Sequence, residues 1–125
     1  MQRMWIANKN ECEKMSKYKN RKYEVDGITF DSTGEANRYC ELKLLEKVGL
    51  ISDLKLQPRF LLQPAFTYNK SKFRKIEYVA DFSYWDIENQ KWMVEDFKGF
   101  KTEVYKIKKK MLLFHHPHIN FVETY

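Results

Sequence analysis

Tyr78-Val79-Ala80-Asp81-Phe82-Ser83-Tyr84-Trp85-Asp86, then Ile87-Glu88-Asn89-Gln90, then Lys91-Trp92-Met93-Val94-Glu95-Asp96-Phe97-Lys98-Gly99 is the stretch that decides the fold. In the first run Tyr78, Ala80, Phe82 and Tyr84 alternate with Val79, Asp81, Ser83 and Trp85, the period-two pattern of a strand. Trp92 to Lys98 reads as a second strand, closed by Gly99. The four residues between the runs are a common hairpin length. That loop pairs Asp86 with Lys91, and each step outward keeps the sum of the two residue numbers constant. Asp81 then falls opposite Asp96, with Cβ atoms roughly 4.5–5.5 Å apart on one face. Lys98 and Val94 share that face, while Glu95 and Phe97 point the other way.

Two carboxylates so placed repel by on the order of 3 kcal/mol at an effective dielectric near 20. A divalent cation offsets this, and hard oxygen ligands on adjacent strands suit Mg²⁺ or Mn²⁺. Lys98 supplies a second cation, able to orient or deprotonate a water or to stabilise charge developing on a phosphate. A metal, an activated water and a lysine together make a phosphodiester-hydrolysing site. The plainer alternatives are a surface salt bridge between Asp96 and Lys98, an Asp81 that merely ends a strand, or a register slip that separates the acids. Glu35 is the third candidate acid. As the N3 residue of a capping box it needs no further role.

Working outward, Val25-Asp26-Gly27-Ile28 reads as a two-residue Asp-Gly hairpin. Ser32-x-x-Glu35 opens a helix over 33–48, with Ala36, Cys40, Leu44 and Val48 as its apolar stripe, Tyr39 and Leu45 widening it, and Gly49 just past its end. Leu54 to Phe66 holds Pro58 and Pro64 and reads as an edge strand or two short strands. On the far side, residues 102–115 form a second helix with Val104, Ile107, Met111 and Phe114 on one face. Pro117 stops it, and Ile119 to Val122 is a last strand. The order hairpin, helix, three strands, helix, strand makes a mixed α/β protein: a small sheet with helices packed against it.

The 125 residues suffice for one core. We expect a single domain over 21–125 behind a basic, mobile extension over 1–20. Lys and Arg outnumber Asp and Glu 23 to 17, giving a net charge of +6, with a pI near 9.2. That excess suggests a polyanionic partner. It is clustered: before Val25; at Lys70, Lys72, Arg74 and Lys75; and over Lys98 to Lys110. No apolar run is long enough to span a membrane. The two cysteines, Cys12 and Cys40, are too few for a disulfide framework and lack metal spacing, which points to a reducing, cytoplasmic setting.

An acid on a helix, Asp81 on one strand and Asp96-Phe97-Lys98 on the next, resembles the PD-(D/E)xK nuclease superfamily. Further strings are Ser16-Lys17-Tyr18, Asp26-Gly27, Phe30-Asp31-Ser32 with Glu35-Ala36, Gln57-Pro58, Tyr78-Val79-Ala80-Asp81-Phe82 and Val94-Glu95-Asp96-Phe97-Lys98-Gly99. Together they look like a family of small phage and prophage proteins of unknown function, thought to be nuclease-like. That family is similar to Holliday junction resolvases of the phage endonuclease I type. The resemblance covers residues 16–124. It implies a restriction-endonuclease-like fold, a small mixed β-sheet flanked by helices. It implies Asp81, Asp96 and the Phe97 backbone carbonyl as metal ligands, Lys98 acting on the attacking water or scissile phosphate, and Glu35 as a ligand or a second-metal residue. Ala80 replaces the proline of the superfamily name, and Asp96 stands where glutamate is commoner.

These features make a Mg²⁺-dependent DNA endonuclease the expected function, with Mn²⁺ able to substitute. Branched DNA such as a Holliday junction is the expected substrate, in phage recombination or replication, read by shape and backbone charge. Symmetric cutting of two strands implies a homodimer. Lys101, Lys106, Lys109 and Lys110 are candidate phosphate contacts, although a solvated helix face would look the same. The rival function is a non-catalytic nucleic-acid-binding accessory protein that retains the nuclease fold. His115, His116 and His118 flank Pro117 at a helix end, where cationic histidines suit the dipole. Gln57 and Gln63 are weak candidates for the active face.

Overall fold

Asp26 and Gly27 both have positive φ, 54° and 76°, the conformation of a type I′ turn. They join β1 (Tyr23–Val25) to β2 (Ile28–Phe30), with Val25 paired to Ile28 as the Asp-Gly motif requires. The computed structural model describes residues 23–124; the extension expected over 1–20 lies outside the described residues. The chain divides into two compact units at Ser52/Asp53.

In the first unit, β2 leads into helix α1 (Thr33–Lys47). Ser32 is its N-cap, and its hydroxyl accepts the Glu35 N–H at 3.1 Å. Gly49, with φ of 86°, follows the C-cap Val48. The helix packs on the hairpin through Tyr39, whose ring lies 5.2 Å from that of Phe30 and whose hydroxyl donates to Asp26 at 2.9 Å. The buried positions are Ala36, Tyr39 and Leu42. Ala36 and Tyr39 of the expected stripe are thus buried, while its Leu44 and Val48 are exposed and Leu42, outside it, is buried. Replacing Ser32 with alanine is expected to cost about 1 kcal/mol, read as a lower urea midpoint with an unchanged m-value.

The second unit begins within β3 (Ile51–Leu56) and continues through β4 (Arg59–Gln63), β5 (Phe66–Tyr68), β6 (Ser71–Phe73), β7 (Ile76–Val79), β8 (Phe82–Asp86), β9 (Lys91–Phe97), helix α2 (Glu103–His115) and β10 (Ile119–Thr124). Pro58 and Pro64 fall in the breaks between β3, β4 and β5. The main sheet runs β10-β9-β8-β3 and is mixed, with β8 antiparallel and β10 parallel to β9. Helix α2 is the crossover between the two parallel strands. β4 and β7 form a separate antiparallel pair, and β5 and β6 another. The protein is thus mixed α/β, as the element order implies.

The register of β8 and β9 is the expected one from Asp86↔Lys91 to Phe82↔Glu95. The difference comes one residue earlier. The Asp81 N–H donates to the Glu95 carbonyl, the same residue that Phe82 faces, so two successive residues address one partner. This is a bulge, and it takes Asp81 out of the regular position opposite Asp96. The single strand expected over 78–86 is accordingly two strands: β7 pairs with β4, and β8 pairs with β9.

Leu62, Tyr78, Ala80, Val94, Tyr105 and Leu112 form the core of this unit. Helix α2 contributes Tyr105 and Leu112, packed on β4 and β7. Of the face expected to be buried, Met111 packs against this core, while Val104, Ile107 and Phe114 are exposed. Thr102 caps the helix by accepting the Tyr105 N–H at 3.0 Å.

Candidate functional site

Ala80 and Asp81 occupy the break between β7 and β8, and Gln57 and Pro58 occupy the break between β3 and β4. The two breaks are tied together. Gln57 N–H donates to the Asp81 carbonyl at 2.9 Å, and Ala80 N–H donates to the Pro58 carbonyl at 3.1 Å. Gln57 adopts φ of 49°, unusual for a residue with a side chain. Asp81 is further fixed by its N–H on the Glu95 carbonyl, and its Oδ2 accepts the Phe97 N–H at 2.7 Å. Its carboxylate therefore sits against the peptide that follows Asp96.

Asp96 lies on the opposite face of β9 from Glu95 and is 1% exposed. A buried carboxylate is costly unless it is hydrogen-bonded or paired. Here it is both: the Tyr78 hydroxyl donates to its Oδ2, and the Lys98 ammonium lies 3.5 Å from the same oxygen. Lys98 also sits 5.0 Å above the Tyr105 ring, within cation–π range. The Asp96–Lys98 pair is thus half buried rather than a surface salt bridge. Glu95, also buried, accepts from Tyr84 on the other face.

The cluster extends beyond the residues legible in the sequence. Tyr105 donates to Glu123 on β10, and Glu123 also accepts from Lys109 at 2.7 Å, with Lys101 at 3.6 Å. Burial pushes the Glu123 carboxyl up, but its bonds to Lys109 and Tyr105 and the charge of Lys101 outweigh that and hold it below its ordinary value. Burial, then the bond to Asp96 and its charge, raises the Tyr78 phenol far above the usual tyrosine range. Burial and the bond to Glu123 raise Tyr105 as well.

Tyr78 therefore remains a donor at neutral pH. A raised pKa contributes stability that is complete below the ordinary value of 10.0 and fades as pH climbs towards the folded value. Tyr78→Phe is expected to cost about 1–2 kcal/mol at pH 7, since it leaves Asp96 a donor short. The deficit should narrow above pH 10, and urea unfolding of both proteins across pH checks it.

The other expected site residues divide clearly. Glu35 lies in the first unit, where its N–H serves the α1 cap. Lys101 and Lys109 converge on Glu123 rather than facing solvent as a pair. Lys106 reaches Glu103 at 3.5 Å and remains more than half exposed, and Lys110 is exposed. His115 ends α2, and His116 is its C-cap. Burial first, then the neighbouring His118 and His115, lowers the His116 pKa. Tyr78, Tyr105 and Glu123 were missed by the sequence reading. Tyrosines at strand and helix positions read simply as core, and β10 runs two residues beyond the predicted end, far enough to include Glu123.

Two carboxylates beside the Phe97 peptide are hard oxygen donors of the kind Mg²⁺ takes. Among the described residues, no three His, Cys, Asp or Glu side chains are grouped to hold a metal. The fold and site define a mixed α/β protein with a buried acid, tyrosine and lysine cluster where its main sheet meets the β4–β7 pair. The chain belongs to the DUF1064 family, described as a protein of unknown function, whose model matches residues 15–124. No curated protein and no solved structure matches it. Among the described residues, no helix is long and apolar enough to cross a membrane.

Proposed function

We propose that this protein is a Mg²⁺-dependent DNA endonuclease of the PD-(D/E)xK type, acting on branched DNA as a homodimer. One observation carries the reading. The Asp81 carboxylate is bonded to the amide of Phe97, the residue between Asp96 and Lys98, and Lys98 is paired with Asp96.

Asp81, Asp96 and the Phe97 carbonyl would hold the cation, with Mn²⁺ as a substitute. When bound, the cation polarises a phosphate oxygen and lowers the pKa of a water. Tyr78 fixes Asp96 through Oδ2 and so sets the direction of its second oxygen. The Phe97 amide does the same for Asp81. Lys98, 30% exposed and paired to Asp96, can reach towards solvent to orient the attacking water or neutralise charge on the scissile phosphate. Lys106 and Lys110 are the helix lysines left for phosphate contacts. Lys101 and Lys109 serve Glu123 first.

A specific observation favours a second reading, an accessory protein that binds nucleic acid without cutting it. Asp96 already has a tyrosine and a lysine on one oxygen, and no three-residue metal group is present among the described residues. Cleavage of a labelled four-way junction and a matched linear duplex, in Mg²⁺ or Mn²⁺ against EDTA, separates the two. Metal-dependent cutting of the junction supports the proposal. Cutting both substrates equally keeps the chemistry and removes the branched specificity. Intact DNA in every metal, with binding preserved in EDTA, establishes the accessory reading instead.

A further inference from the structure

Residues 66–75, Phe-Thr-Tyr-Asn-Lys-Ser-Lys-Phe-Arg-Lys, hold basic residues and no acidic one. They form the β5–β6 hairpin, turned by Asn69 and Lys70 at φ of 48° and 65°. Every residue of both strands is exposed. The pairs Phe66↔Phe73 and Tyr68↔Ser71 put three aromatic rings on one face, while Thr67↔Lys72 faces the other way. Phe66 and Phe73 stack at 4.8 Å with their planes 10° apart. Tyr68, nearest the turn, is 65% exposed.

A two-stranded hairpin is marginal on its own, and an uncovered aromatic face marks an interaction site. The surrounding charge selects the occupant. Lys70, Lys72 and Arg74 call for a polyanion, and the rings call for flat apolar groups. An unpaired nucleic acid strand offers both at every repeat, a phosphate and an open base face, whereas a duplex keeps its bases stacked on one another. We propose that the β5–β6 hairpin is a nucleic-acid-binding element that stacks unpaired bases on Tyr68 and its aromatic face and holds phosphates with Lys70, Lys72 and Arg74. The choice of nucleic acid over an acidic peptide rests on the nuclease reading above.

The test is fluorescence anisotropy of a labelled oligo(dT) strand and a matched duplex, with the full chain, in EDTA. Tyr68→Ala is expected to weaken single-strand binding about tenfold, and Tyr68→Phe to retain it. The double replacement Lys70→Ala, Lys72→Ala is expected to reduce the slope of log affinity against log salt by about 1.4. All three should melt like the wild type, since the hairpin residues are exposed. Wild-type affinity in every variant overturns the inference, as does a wild type that ignores the single strand. So does poly-glutamate competing as well as DNA with Tyr68→Ala silent. Cleavage that persists with hairpin-independent binding would sink this inference alone. Hairpin-dependent binding with no cleavage in any metal would sink the nuclease reading alone.

Discussion

Asp96→Asn is expected to lower metal-dependent cleavage by about 10²–10⁴-fold, the equivalent of about 3–5 kcal/mol of transition-state stabilisation, while the protein stays folded. The substitution preserves size and shape at a position only 1% exposed. An asparagine oxygen can still accept from the Tyr78 hydroxyl. Lys98 loses its counter-charge, but at 30% exposure it can rehydrate rather than remain buried and unpaired. The stability cost should therefore stay near 1–2 kcal/mol. Single-turnover cleavage and urea unfolding on the same preparation separate the two effects. Glu95→Gln is the control, because Glu95 is equally buried on β9 but bonded to Tyr84 on the other face. Its cleavage should stay close to wild type. If Glu95→Gln abolished cutting and Asp96→Asn spared it, the chemistry would lie on the wrong face of the sheet.

The largest effect on stability is expected at Leu112. It is fully buried in a cluster with Leu62, Tyr78, Ala80, Val94 and Tyr105. Truncation to alanine removes apolar contact and leaves a cavity, a loss of about 2–5 kcal/mol. Ile107→Ala, on the same helix, should fall within about 0.5 kcal/mol, because Ile107 is 59% exposed. The pair distinguishes the face that is buried from the one that apolar spacing selects. Equal losses at both positions would mean that Val104, Ile107 and Phe114 are covered in solution. Tyr78 belongs to this core and to the Asp96 site at once, so Leu112→Ala should also weaken the positioning of Asp96.

The Asp26-Gly27 turn, the Ser32 cap and the β8–β9 register were legible because each rests on local geometry: positive φ, an orphan amide, a loop of fixed length. The bulge at Asp81 was not, since the backbone there is bonded to Gln57 and Pro58, far away along the chain. Tyr39 was legible as an inward residue of α1, and its hydroxyl is bonded to Asp26. On α2 the inward Tyr105 escaped because its hydroxyl, bonded to Glu123, gives it a polar tip, while the plain aliphatics Val104 and Ile107 face out. The β5–β6 hairpin escaped because its turn is Asn-Lys rather than Asn-Gly and its strands bury neither face. For the candidate site, Asp81, Asp96 and Lys98 were readable from spacing. Their tyrosine and Glu123 partners depend on tertiary packing.

Asp81 is held by ties to two segments: the amide of Gln57 on its carbonyl, and on β9 its own amide on the Glu95 carbonyl and the amide of Phe97 on its carboxylate. The two bonds to β9 close the base of the β8–β9 hairpin, whereas the Gln57 bond reaches the break between β3 and β4. The hairpin can close early, yet it does not hold the whole clamp by itself. The loop-closure entropy of the Gln57 tie must be met before the clamp is complete. The acid site is in that sense a late product of folding, and its appearance on refolding reports completion of the tertiary structure rather than growth of any one element.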